Sequence, residues 1–121
     1  MKTNYLKGVL AGALAMVALS TVSRAATYDL TVDYVTIDTG ESKTKGIGYN
    51  GASPGPTLRF KEGEEAVINV TNNLKEATSI HWHGLILPYQ MDGVPGISFP
   101  GIEPGETFTY RIPVTQSGTY W

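Results

Sequence analysis

Tyr28–Ile37 reads YDLTVDYVTI. Apolar and polar residues alternate along it. Leu30, Val32 and Tyr34 fall on one face, and Asp29, Thr31 and Asp33 on the other. A period of two predicts a β-strand with one face on a core. The same reading extends along the rest of the chain. KTKGIGYNG (Lys43–Gly51) is a short strand closing on Asn50-Gly51, a strong turn pair. In SPGPTLRF (Ser53–Phe60), Pro54 and Pro56 exclude a central strand and favour an extended approach to Thr57–Phe60. EAVINVTNN (Glu65–Asn73) alternates again, with Ala66, Ile68 and Val70 inward. TSIHWHGLIL (Thr78–Leu87) is expected as the next strand, and TFTYRIPV (Thr107–Val114) as another. Between them, Pro88–Glu106 is a long Gly/Pro-rich loop. After a turn at Thr115–Gly118, Thr119–Trp121 starts one more strand. No segment after residue 25 carries a helical period of useful length. Short strands at close spacing with Gly/Pro punctuation predict an all-β domain, a sandwich or barrel. The chain of 121 residues suffices for one domain. Its stop at Trp121, in mid-strand, is the expectation of a fragment of a longer protein.

The first 25 residues have a different character. Lys2 and Lys7 precede the uncharged apolar run GVLAGALAMVALSTV (Gly8–Val22), and Ser23 and Ala25 stand at the small-residue positions of a cleavage site. The run is short against the roughly 20 apolar residues that span a bilayer. It is therefore expected to be a signal peptide, 1–25, removed on export, and not a stable membrane anchor. Its removal takes away three cations (Lys2, Lys7, Arg24) and no acid, so the formal net charge of −2 falls by three units to −5. A mildly acidic domain without a basic run argues against nucleic acid and against an anionic membrane surface as partners. With no cysteine in the chain, neither a disulfide nor a thiolate ligand can come from it.

The only two histidines are His81 and His83, in SIHWHGL (Ser79–Leu85). On a strand, residues i and i+2 point to the same side, with Cα atoms about 6.6–6.8 Å apart. Ile80 and Trp82 would anchor the stretch in the core while both imidazoles project together. Such a pair can pinch one metal ion or present one nitrogen to each of two neighbouring ions. Imidazole suits copper, zinc, iron and nickel, and spacing does not choose among them. A His-x-His on a strand also arises without any metal, its rings bonded to backbone. Two imidazoles do not fill a metal's shell, and within the chain only carboxylates such as Asp92 remain as further candidates. Met91 offers a thioether, but a single loop methionine more often packs. Tyr89, Tyr110 and Tyr120 are read as core or cross-strand aromatics.

The motifs NG..PGPTLR, IHWHG, DGVPG, PG..F.Y and QSGTYW follow one another between Tyr49 and Trp121. In that order they resemble the first cupredoxin domain of a multicopper oxidase, and LPYQMDGVPGISFPGI resembles the bacterial copper-resistance branch. The resemblance implies a cupredoxin-like Greek-key β-sandwich over 26–121, incomplete at its C-terminal end. It implies that His81 ligates a type 2 copper and His83 a type 3 copper of a trinuclear cluster. The remaining ligands, and the blue type 1 copper, would belong to C-terminal cupredoxin domains of the same protein. Asp92 matches the position of a proton-relaying acid, although Asp-Gly is also a turn former. The implied activity couples oxidation of a reducing substrate, copper(I) or a phenol, to reduction of dioxygen to water, in copper resistance, in the periplasm. Lys2-Thr3 stands where relatives of this branch carry two arginines, so export by the general secretory route is expected. Two rivals remain: a non-catalytic periplasmic module that binds or sequesters copper, and a metal-free relative serving as an interaction protein.

Overall fold

A computed structural model describes residues 25–121. The export signal expected at 1–25 therefore lies, except for its last residue, outside the described residues. Among these, no helix is long and apolar enough to cross a membrane. Strand β1 spans Ala26–Asp38, β2 Lys43–Tyr49, β3 Glu65–Asn72 and β4 Thr107–Pro113, with one 3-10 turn at Tyr89–Met91. They form one mixed sheet in the order β2-β1-β3-β4. β1 runs antiparallel to β2 and parallel to β3, and β3 runs antiparallel to β4. The all-β expectation holds.

Local chemistry explains the β2 turn. Asn50 and Gly51 both adopt positive φ, 51° and 80°. Tyr49 and Ala52 exchange both backbone hydrogen bonds across them, at 2.8 and 3.1 Å. This is the two-residue hairpin that Asn-Gly favours. The Asn50 amide then ties the turn to β1: its Oδ1 accepts from the Thr31 N–H at 2.7 Å, and its Nδ2 donates to the Asp29 carbonyl at 3.1 Å.

The core lies on one face of the sheet. Leu30 and Val32 from β1, Ala66, Ile68 and Val70 from β3, and Tyr110 and Ile112 from β4 are all buried. Facing them are Leu74, Ile80, Trp82, Phe99, Ile102 and Val114, which come from loops and extended chain. Trp82 packs edge-on against Tyr110, ring centroids 5.3 Å apart, and Phe108 packs against Tyr110 at 4.7 Å. Asn72 is fully buried but satisfied. Its Nδ2 donates to the Glu76 and Ile102 carbonyls, and its Oδ1 accepts from the Leu74 N–H. A polar side chain can be buried there because each of its groups has a partner.

Several expectations need correction. Tyr110 is in the core, but Tyr89 lies in the exposed 3-10 turn and Tyr120 is outside any strand, so neither is a core or cross-strand aromatic. Tyr34 keeps the period of Leu30 and Val32 but is 46% exposed. β3 pairs with β1 only as far as Val32, so the core ends there. Beyond it β1 pairs with β2 alone, and Val35 and Ile37 on the other face lie over the bare backbone of Gly46 and Gly48. Thr78–Leu87 is not a strand: its one bridge joins Thr78 to Ile102. Thr119–Trp121 is no strand either, although the His83 N–H donates to the Trp121 carbonyl at 2.7 Å.

Candidate metal centre

The histidine stretch keeps a strand's alternation without a strand's ladder. Ile80 and Trp82 are buried, and His81 and His83 face outward. Three contacts hold it. The buried Tyr110 hydroxyl accepts from the Ile80 N–H at 3.1 Å, directly before His81. Trp82 docks its ring on Tyr110. Gln116 binds the backbone after His83: its Nε2 donates to the Gly84 carbonyl at 3.0 Å, and its Oε1 accepts from the Ile86 N–H at 2.6 Å.

The two imidazoles come together as the spacing predicts. Their ring centroids are 5.7 Å apart, with planes crossed at 87°. The Trp121 ring lies edge-on to His83 at 6.2 Å. His81 Nδ1 lies 2.8 Å from the backbone carbonyl oxygen of Asp92. A carbonyl only accepts, so Nδ1 carries the proton, and in the neutral ring Nε2 keeps its lone pair. The Asp92 carboxylate stands farther off, with Oδ1 3.6 Å from the same nitrogen.

Asp92 reaches His81 because of its neighbours. Tyr89–Met91 forms a 3-10 turn, and Asp92 caps it in αR geometry, φ −71° and ψ −16°. Gly93 follows at φ +74°, and a Cβ there would sit 1.9 Å from the Ile80 carbonyl oxygen. Only glycine lets this loop lie flat on the histidine stretch. Asp92 thus forms the turn, and its backbone carbonyl touches His81. Met91 faces elsewhere, its Sδ accepting from the Arg111 N–H at 3.4 Å. Among the described residues, no three or more His, Cys, Asp or Glu side chains are grouped to hold a metal ion. Reading the sequence missed Gln116 and Gly93. Both lie inside the motifs QSGTYW and DGVPG, but nothing in composition or period singles them out.

Beside this stretch runs an open groove of about 560 Å³, lined by Leu30, Tyr49, Leu58, Ile80, Trp82 and Trp121 among others. The Trp82 indole N–H, on its wall, is buried with no hydrogen-bond partner among the described residues. Burial raises the pKa of the Tyr110 and Tyr49 phenols above the ordinary tyrosine value.

The multicopper oxidase family model matches residues 30–121. The chain is 51% identical to copper resistance protein A of Escherichia coli over 94 residues, covering 78% of this chain and 16% of that protein. It is 48% identical to copper resistance protein A of Pseudomonas syringae pv. tomato over 104 residues, 86% of this chain and 17% of that protein. The fold superposes on the crystal structure of a multicopper oxidase from Pseudomonas thermotolerans with a TM-score of 0.78 at 36% identity, over 82% of this chain and 24% of that one. The fold is thus the cupredoxin-like one of these oxidases. The chain belongs to the multicopper oxidase family, and it spans about a sixth of the length of the curated relatives it matches.

Proposed function

We propose that residues 26–121 are the N-terminal, incomplete cupredoxin-like domain of a periplasmic multicopper oxidase of the copper-resistance type. In this reading His81 ligates a type 2 copper and His83 a type 3 copper. The observation that carries it is the pair of exposed imidazoles, ring centroids 5.7 Å apart, in a chain of this family, and the hydrogen bond from His81 Nδ1 to the Asp92 carbonyl agrees with it. Metal-bound histidines characteristically donate their second ring N–H to such an acceptor, which sets tautomer and ring orientation. The donors present fit copper: two exposed imidazoles side by side, crossed rather than stacked. Two imidazoles do not complete a shell, and in this reading the other ligands come from C-terminal cupredoxin domains of the same protein.

When bound, the coppers would supply the passage of four substrate electrons to dioxygen, which with four protons becomes two waters. In this reading His81 and His83 would hold the ions, with Ile80 and Trp82 anchoring the stretch in the core. The Asp92 backbone orients His81, and in this reading the Asp92 carboxylate, 41% exposed and 3.6 Å from the same ring nitrogen, passes protons beside it. The groove with its orphan indole N–H supports a domain completed by further chain. In this reading the reducing substrate is copper(I), with phenols as a second class, and the location is the periplasm; the likeness to copper resistance proteins supports a role in copper handling.

The test is oxygen consumption by the complete protein. His81→Ala or His83→Ala should abolish dioxygen reduction and leave the blue type 1 absorbance intact. Retained turnover in either variant contradicts the ligand assignment. Stoichiometric copper binding without turnover in the unaltered protein would favour sequestration instead.

A further inference from the structure

We infer that Gln116 is a positioning residue for His83, a role that rests on the reading of His83 as a copper ligand. The stretch Thr78–Leu87 has no ladder partner among the described residues, yet it must hold His83 in place. One half-buried amide supplies what a neighbouring strand would. Its Oε1 accepts from the Ile86 N–H at 2.6 Å, and its Nε2 donates to the Gly84 carbonyl at 3.0 Å. These are two backbone groups two residues apart, the pair that an adjacent strand would engage. The partners also fix the amide's orientation, since an N–H cannot bond to Nε2 nor a carbonyl to Oε1.

The same amide reaches a second segment. Nε2 also donates to the Tyr120 hydroxyl at 2.9 Å, and that hydroxyl donates to the Ser117 carbonyl at 2.8 Å. Tyr120 packs between two glycines: a Cβ at Gly84 would meet its ring at 3.2 Å, and one at Gly118 would meet its hydroxyl at 2.7 Å. One residue farther on, the Trp121 carbonyl accepts from the His83 N–H at 2.7 Å. Gln116 therefore joins the chain after His83 to the chain that ends in Tyr120 and Trp121. Loss of the amide leaves the His83–Trp121 bond as the hydrogen bond between the two among the described residues, beside the packing of the Tyr120 and Trp121 rings.

The experiment is amide hydrogen exchange in the copper-free complete protein, followed by copper retention after dialysis against a chelator. Gln116→Ala should speed exchange of the His83 amide by about tenfold or more, leaving Ile68 and Tyr110 in β3 and β4 unchanged. Gln116→Glu keeps the acceptor for Ile86 and loses both donations, so its exchange should lie between wild type and Gln116→Ala. Copper retained per chain should fall in Gln116→Ala and in His83→Ala. Unchanged exchange at His83, or exchange rising equally across the sheet, overturns the proposal. If His83→Ala loses copper and Gln116→Ala retains it in full, the positioning role is wrong and the ligand reading stands. If both retain it, the ligand reading fails and takes the proposal with it.

Discussion

The His81 ring is held by the backbone of Asp92 and not by its carboxylate: Nδ1 lies 2.8 Å from the carbonyl oxygen and 3.6 Å from Oδ1. The two functions of this residue are therefore separable. Any side chain at position 92 that keeps the turn keeps the hold on His81. Asp92→Asn should retain wild-type copper content. If the carboxylate passes protons, turnover should fall by about 10²–10⁴-fold, the usual contribution of a positioned acid or base. Copper content and turnover across a pH series check both halves. Wild-type turnover at every pH would assign Asp92 to the turn alone.

Gly93 makes that contact possible. An alanine there would place its Cβ 1.9 Å from the Ile80 carbonyl oxygen, whereas Gly96, at a similar φ of +75°, has open space around it. Gly96→Ala should show only the cost of a strained φ, about 1–3 kcal/mol. Gly93→Ala adds a backbone overlap that can be relieved only by moving the loop off the histidine stretch. Denaturant unfolding should rank Gly93→Ala well below Gly96→Ala in stability, and Gly93→Ala should also lose copper. Equal stability of the two variants would show that the loop moves aside freely.

Tyr110 links the core to the site through the Ile80 N–H. Desolvation by burial raises its pKa, and the nearby Tyr49 phenol adds to this, while the Ile80 hydrogen bond acts the other way. Because the folded value lies above that of the unfolded chain, about 10, the unfolded state releases its proton first. The stability tied to the neutral phenol is whole below that pH and is lost as pH rises through the folded value. Thermal unfolding should therefore fall steeply in alkali, and less steeply in Tyr110→Phe. At neutral pH the same variant orphans the Ile80 N–H, at a cost of about 1–3 kcal/mol. Parallel alkaline slopes for the two proteins would remove Tyr110 from this account.

What was legible in the sequence depended on how far each interaction reaches along the chain. The inward faces of β1 and β3 at Leu30, Val32, Ala66, Ile68 and Val70 were readable because alternation is local. So was the Asn50-Gly51 turn, whose backbone demands are met by its own two residues. The outward projection of His81 and His83 followed from the same period. The expected strand at Thr78–Leu87 did not form, since a ladder depends on a partner's register and not on alternation. Tyr34 was placed on the right face and at the wrong depth, because the end of β3 decides where the core stops. Gln116 was invisible: its partners, Gly84 and Ile86, are about thirty residues away, and no pattern of polarity announces an amide that replaces a strand.

The most direct measurement is anomalous diffraction at the copper absorption edge from crystals of the complete, copper-loaded protein. The account predicts separate copper peaks, one within coordination distance of His81 Nε2 and a different one within reach of a His83 ring nitrogen, with further ligands from other domains. A single ion shared by both rings, or no copper at either histidine, would contradict it.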